Sequence, residues 1–347
     1  MQKWARLLAV SGFAALAAVQ STPVLSADTA VKPHHIYMAV WRGCEDACKG
    51  FQDYFRDNKI PARFTVRDAE RDKKKLPGFV QEAKDLKADL VVTWGTSVTR
   101  LMLGPWDAPD PEKHLTKIPS VFMIVADPIG AKVVRDYESS GRPNVTGTRN
   151  RAPTPVQMKA LQSYKPFKRL GLIYNTNELN ARLNAAQVRR TAADMGIDLI
   201  EVTLPLGEDG KPSPDSIEAA VKKVADQQAE FLYMGSSSFL SKFRKAYTEA
   251  AIKYKLPVAA GSEIPVTKAA GLMAIASRYY NVGQLAADQA RRILVEKEPP
   301  EQIRIRRLRR FSFIINMETA LKLKMYPPME ILRYAEVINA GAVSEGK

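Results

Sequence analysis

From Ile36 onward, short apolar runs alternate with segments whose apolar residues recur at helical spacing. The runs IYMAVW (36–41), ARFTVR (62–67), DLVVTW (89–94) and SVFMIV (120–125) are rich in β-branched and aromatic residues, the composition of buried strands. Between them, EDACKGFQDYFRDN (45–58) and LPGFVQEAKDLKA (76–88) carry the spacing of amphipathic helices. A second series follows: KRLGLIYN (168–175), a helix over 179–195 stopped by Gly196, IDLIEVTL (197–204), a helix near 214–228, EFLYMG (230–235), a helix near 239–254, and LPVAAG (256–261). The alternation predicts an α/β fold with parallel sheets flanked by helices, built twice over. The first lobe is expected to end near Asn144-Val145-Thr146-Gly147.

Other stretches read as surface. The segments 104–119 and 207–215 are polar Pro- and Gly-containing connections. The basic run IRIRRLRRF (303–311) alternates isoleucine and arginine as an edge strand with one wet face does, and is read as a solvated charged face.

The N-terminus changes the picture. Lys3 and Arg6 precede an apolar run from Leu7 to Val19, and Ser26-Ala27 follow: a secretory signal with cleavage after Ala27. The run is too short to span a bilayer, and Asp28 stands where a lipid-anchored protein would have cysteine. A periplasmic protein with no membrane anchor is expected. About 320 mature residues exceed what one core usually holds, which again favours two lobes.

The chain has a net charge of +15, or +13 without residues 1–27. That excess favours anionic partners, and export argues against nucleic acid. Cys44 and Cys48, the only cysteines, are four apart. One helical turn brings such a pair near bonding range in an oxidising compartment, and whether they are bonded is left open. Structural zinc takes about four ligands; with only His34, His35 and His114 to help, no metal or other cofactor is expected.

Two places carry candidate chemistry. After DLVVTW the chain reads Gly95-Thr96-Ser97 and enters a helical pattern; after EFLYM it reads Gly235-Ser236-Ser237-Ser238 and does the same. Open α/β sheets bind ligands at strand C-termini, where the free amides and positive end of a helix attract anions. A carboxylate is the expected guest of both turns. Plain helix capping by the hydroxyls accounts for one such turn better than for two. Ser97 and Ser237 lack the G-x-S-x-G setting of a nucleophile, no histidine is placed as a base, and no phosphate-binding P-loop is present. Catalysis is therefore not expected, with a periplasmic hydrolase as the weaker alternative.

The segments ADLVVTWGTSVT, IPSVFMIVADPIGAKVV, PNVTGT, KRLGLIYNTNELNA, ASRYYNVGQLAADQARRILVEKEPPE and FSFIINMETALKLKMYPPMEILRYAEVI resemble ABC-transporter substrate-binding proteins of the tryptophan/tyrosine-binding type. The resemblance implies a type I periplasmic binding protein: two Rossmann-like lobes joined by three crossovers, closing on a small solute for an ABC permease in the inner membrane. It also implies no catalysis. Divided on that pattern, lobe 1 takes 28–148 and 279–305, and lobe 2 takes 149–278 and 306–347.

Carried over by position, Gly95, Thr96, Ser97, Asp127 and Pro128 would face the cleft from lobe 1, with Asn144 as a crossover residue. Tyr174, Asn175, Glu178, Asn180, Ser236 and Ser237 would face it from lobe 2. Asp127 reads equally as a turn former before Pro128, and Asn180 as a helix-start residue. Two departures from the family pattern bear on the ligand. Arg278 stands where an acidic residue is common, and Trp41-Arg42 follow the first strand, offering a stacking face and a guanidinium fork. Glu263 is the acidic residue left to receive an amine. The expected ligand is thus a small anionic or zwitterionic acid or amino acid. A sensory subunit presenting its closed form to a membrane receptor is the other non-enzymatic reading; a lac-repressor-type regulator would need an N-terminal helix-turn-helix that this chain lacks.

Overall fold

The strands are β1 (His34–Val40), β2 (Ala62–Asp68), β3 (Leu90–Trp94), β4 (Ser120–Val125), β5 (Val145–Arg149), β6 (Arg169–Tyr174), β7 (Asp198–Thr203), β8 (Phe231–Met234), β9 (Val258–Ala260), β10 (Met273–Ala276), β11 (Arg306–Arg307), β12 (Ser312–Asn316) and β13 (Glu336–Ile338). This computed structural model describes residues 32–339, so the expected signal segment at 1–27 and residues 340–347 lie outside the described residues. Six strands form one sheet in the order β11-β5-β4-β3-β1-β2, and seven form another in the order β13-β12-β10-β9-β8-β6-β7. All pairings are parallel except β10 with β12.

The apolar runs locate the sheet centres. β3, β4, β8 and β10 are buried at every position, because helices cover both sheet faces, whereas edge strand β7 is buried only at Ile200 and Val202. The chain passes between sheets three times: at 150–153, at Ser277-Arg278 and at 308–311. Arg306 and Arg307 pair with Thr148 and Arg149, so the third passage comes after 307 rather than before 306, and only two residues of the basic run are strand. The helix expected near 239–254 is two helices, Ser238–Lys242 and Arg244–Lys253, divided at Phe243.

Asn144 is not at a crossing. It precedes β5, and its side-chain amide donates to the carbonyls of Leu115 (3.0 Å) and Ile118 (3.1 Å), fixing the Pro-rich connection. Cys44 and Cys48 are disulfide-bonded, with Cα atoms 5.1 Å apart, joining the turn after β1 to the first turn of helix Asp46–Asp57. That helix packs backbone to backbone on helix Tyr279–Leu294: a Cβ on Gly50 would meet the Tyr280 carbonyl oxygen, and one on Gly283 the Ala47 carbonyl oxygen.

Candidate functional site

The C-terminal ends of the two sheets face each other across a narrow cavity, in which the centre of a water-sized sphere has about 60 Å³ to move. That is room for several waters. Of the residues expected there, Trp41, Arg42, Gly95, Thr96, Ser97, Asn180, Ser236 and Ser237 line it. So do Gly235 and Ser238 of the second turn, and residues that sequence reasoning passed over: Trp94, Ile124, Ala126, Asn150, Arg151, Ser241, Ser262 and Tyr279. Of the latter, Trp94, Ala126 and Asn150 are the last residue of a strand or the first beyond it, so strand ends were the available signal for these three.

The first-lobe turn is open. Gly95 has φ 91° and ψ 157°, a conformation reserved for glycine, and the chain then enters helix Thr96–Leu103 with no side-chain cap. The amides of Thr96, Ser97 and Val98 have no partner among the described residues. Beside them Trp94 is 4% exposed and its indole Nε1–H is also unpaired. Ile124, buried at an irregularity between β4 and β5, has φ 56°, a costly conformation for a β-branched residue.

The second-lobe turn is filled, which corrects the expectation that both turns await a carboxylate. Glu178 reaches in from the turn after β6: Oε2 accepts from the Ser238 amide at 2.6 Å and Oε1 from the Phe239 amide at 2.9 Å. Ser237 Oγ accepts from the Leu240 amide (3.0 Å) and donates to Asn175 Oδ1 (2.6 Å), while Asn184 Oδ1 accepts from the Ser236 amide (2.9 Å). Asn180 donates to Glu178 Oε2 and to the Ser236 carbonyl, each at 3.1 Å. Glu178 and Asn175 therefore shape the cavity wall from behind. Tyr174 packs against the second-lobe core instead.

The charged candidates are also redistributed. Arg42 lines the cavity 5.1 Å over the Trp94 ring, but its Nε and Nη2 donate to the Glu45 carboxylate at 2.8 and 3.2 Å. Arg278 and Glu263 lie apart from the cavity lining, at the second crossing. Arg278 Nη1 stands 2.6 Å from Glu263 Oε2, off the line of a hydrogen bond and so a charge contact, and Nη2 donates to Glu336 at 3.0 Å. Glu263 Oε1 accepts from the Tyr279 amide at 2.7 Å, sealing the N-terminus of helix Tyr279–Leu294. Burial raises the Glu263 carboxyl above its usual range, against the opposing pull of that amide and of Arg278. Asp127 is a turn residue, accepting from the Gly130 amide at 2.9 Å and from Gln187 of the second lobe at 2.7 Å, and buried Pro128 accepts from the Val133 amide at 2.8 Å.

A second cation facing the cavity is Arg151, just past β5. It donates to the Tyr233 hydroxyl at 3.0 Å and has no carboxylate partner among the described residues. Asn150 is 5% exposed with Oδ1 unpaired. None of the histidines lines the cavity; His35 is held by Thr65 and Arg63, and His114 accepts from the Asp110 amide. Ser97 therefore has no imidazole base beside it.

Two facing parallel sheets, three passages between them and a polar cavity at their strand ends define the type I periplasmic binding fold. The chain belongs to the family of ABC transporter substrate binding proteins, whose model matches residues 41–338. It is 24% identical over 209 residues to a tyrosine-binding protein of Clostridioides difficile (strain R20291), a match covering 60% of this chain and 57% of that relative's length. Among solved structures, a conserved domain protein of Vibrio cholerae superposes with a TM-score of 0.75 at 21% identity, covering 88% of this chain and 99% of that one. An ABC domain of Streptococcus pneumoniae in complex with L-Trp superposes with a TM-score of 0.75 at 19% identity, covering 88% and 100%. Among the described residues, no helix is long and apolar enough to cross a membrane.

Proposed function

We propose that this protein is the exported receptor of an ABC importer, closing its lobes on a small carboxylate-bearing acid or amino acid and delivering it to a permease of the inner membrane. The observation that carries this reading is the uncapped N-terminus of helix Thr96–Leu103, whose first three amides are unpartnered among the described residues and whose Thr96 and Ser97 line the cavity. Arg151 and the Trp94 indole N–H add donors for the same carboxylate, and Asn150 Oδ1 is an acceptor for an ammonium group. Trp41, Trp94 and Tyr279 give one wall an aromatic face, in keeping with the tyrosine and tryptophan named for the similar proteins.

Charge-assisted hydrogen bonds contribute about 1.5–3 kcal/mol each. Three of them are of the order of the ~8 kcal/mol of a micromolar complex, before ordering costs. Because the walls belong to both lobes, a ligand touching both binds the closed arrangement better than the open one and shifts the population toward it.

The test is calorimetry with a panel of amino acids and small organic acids. An aromatic amino acid or aromatic acid should bind with a micromolar Kd. Thr96→Pro, which deletes one amide at a position where proline suits a helix, should weaken it about tenfold and leave the urea midpoint unchanged. A panel without a single binder, together with ester or amide turnover abolished by Ser97→Ala, would refute the reading in favour of a hydrolase.

A further inference from the structure

On the far side of Ala126 and Arg151 from the cleft lies a second cavity, of about 400 Å³. Arg149, Arg190 and Arg307 line it together with Arg151. Arg149 and Arg307 are register partners on β5 and β11, so their side chains leave neighbouring strands about 4.8 Å apart. Like charges set side by side on a sheet are destabilising unless something lies between them.

These four arginines have no carboxylate partner among the described residues. The pattern is local, because Arg189, Arg304 and Arg306 nearby in sequence are paired with Glu201, Glu138 and Asp288. Arg149 is held in place: its guanidinium lies 3.8 Å from the centre of the Tyr137 ring, and its buried Nε has no partner. The carboxylates at hand are Asp194 in the wall and Asp127, already engaged by Gln187 at 2.7 Å. Four guanidinium groups against two carboxylates leave an excess of positive charge that a single monovalent anion does not offset.

We propose that this chamber binds a small multivalent oxyanion of the phosphate class, held by the forks of Arg149, Arg190 and Arg307. Planar guanidinium groups meet such oxygens in pairs of parallel hydrogen bonds, and a ring behind one of them fixes its direction. Arg149 and Arg307 belong to the first sheet, and Arg190 to helix Leu179–Asp194 of the second lobe. An anion seated among them touches both lobes and favours their closed arrangement.

Pyrophosphate is the probe, titrated calorimetrically at constant ionic strength. The unaltered protein should take up one equivalent. Arg190→Gln and Arg307→Gln, both at exposed positions, should each weaken binding about tenfold with unchanged melting curves. Arg304→Gln, outside the chamber, and Thr96→Pro, in the cleft, should leave it within about twofold. Absence of saturable binding, insensitivity to both chamber variants, equal weakening by Arg304→Gln (a diffuse charge effect) or loss through Thr96→Pro (binding in the cleft) would each overturn the proposal.

Discussion

The turns after β3 and β8 look alike in sequence, a glycine followed by hydroxyl residues and a helix, yet one is open and the other sealed. The difference comes from the neighbouring loop. Each lobe places a glutamate at the start of the helix after its first strand: Glu45 before helix Asp46–Asp57 and Glu178 before helix Leu179–Asp194. In the second lobe that carboxylate crosses to the Ser238 and Phe239 amides. In the first, Arg42 holds it back in a two-point contact, and the amides of Thr96, Ser97 and Val98 stay unpartnered. The comparison teaches that an anion seat is defined by what the protein keeps out of it as much as by the helix end itself.

Three experiments break or sharpen the comparison. The largest effect should come from Glu178→Ala, which strands two amides in the second lobe. The urea midpoint should fall with unchanged slope, corresponding to about 3 kcal/mol; a midpoint equal to that of the parent would mean that water seals the turn equally well. Next, Arg42→Gln should release Glu45 toward the open turn and weaken ligand about tenfold, or ~1.4 kcal/mol. Adding Glu45→Gln should restore affinity if intrusion is the cause, whereas a double variant as weak as the single one would make Arg42 a direct ligand contact.

The smallest effect concerns Glu263, the other sealing glutamate. Its folded carboxyl holds its proton more tightly than the unfolded one, so its contribution to stability is present below pH 4.5 and declines as pH rises through the raised folded value. Glu263→Gln should flatten the stability–pH curve just above pH 4.5. A slope identical to that of the parent would show the carboxyl to be unperturbed.

The doubled α/β architecture was legible because parallel strands covered on both faces write themselves as continuous apolar runs, as in DLVVTW and SVFMIV. The short closing strands β11 and β13 carry no such run, and their pairing is set by the passages between sheets. At the site, Trp41, Thr96 and Ser236, read from strand ends, line the cavity. What spacing did not reveal is how charged side chains are shared out. Arg278 is absorbed by Glu263 and Glu336, and Glu178 acts on residues sixty positions away in sequence. Such pairings depend on which loops meet in space, so it is Arg151, an unremarked residue after β5, that lines the cavity without a carboxylate partner among the described residues.

The glycine-mediated crossing of helices Asp46–Asp57 and Tyr279–Leu294 also makes the assembly of the first lobe a long-range event. The second-lobe strands β6 to β10 are continuous in sequence, whereas the first lobe joins residues near its beginning to a helix made more than two hundred residues later. Non-local contacts of this kind close slowly. As the chain emerges, the first lobe cannot finish until Gly283 reaches Ala47, and the second-lobe core, which includes Phe313, Ile315 and Ile331, is completed by residues that come later still.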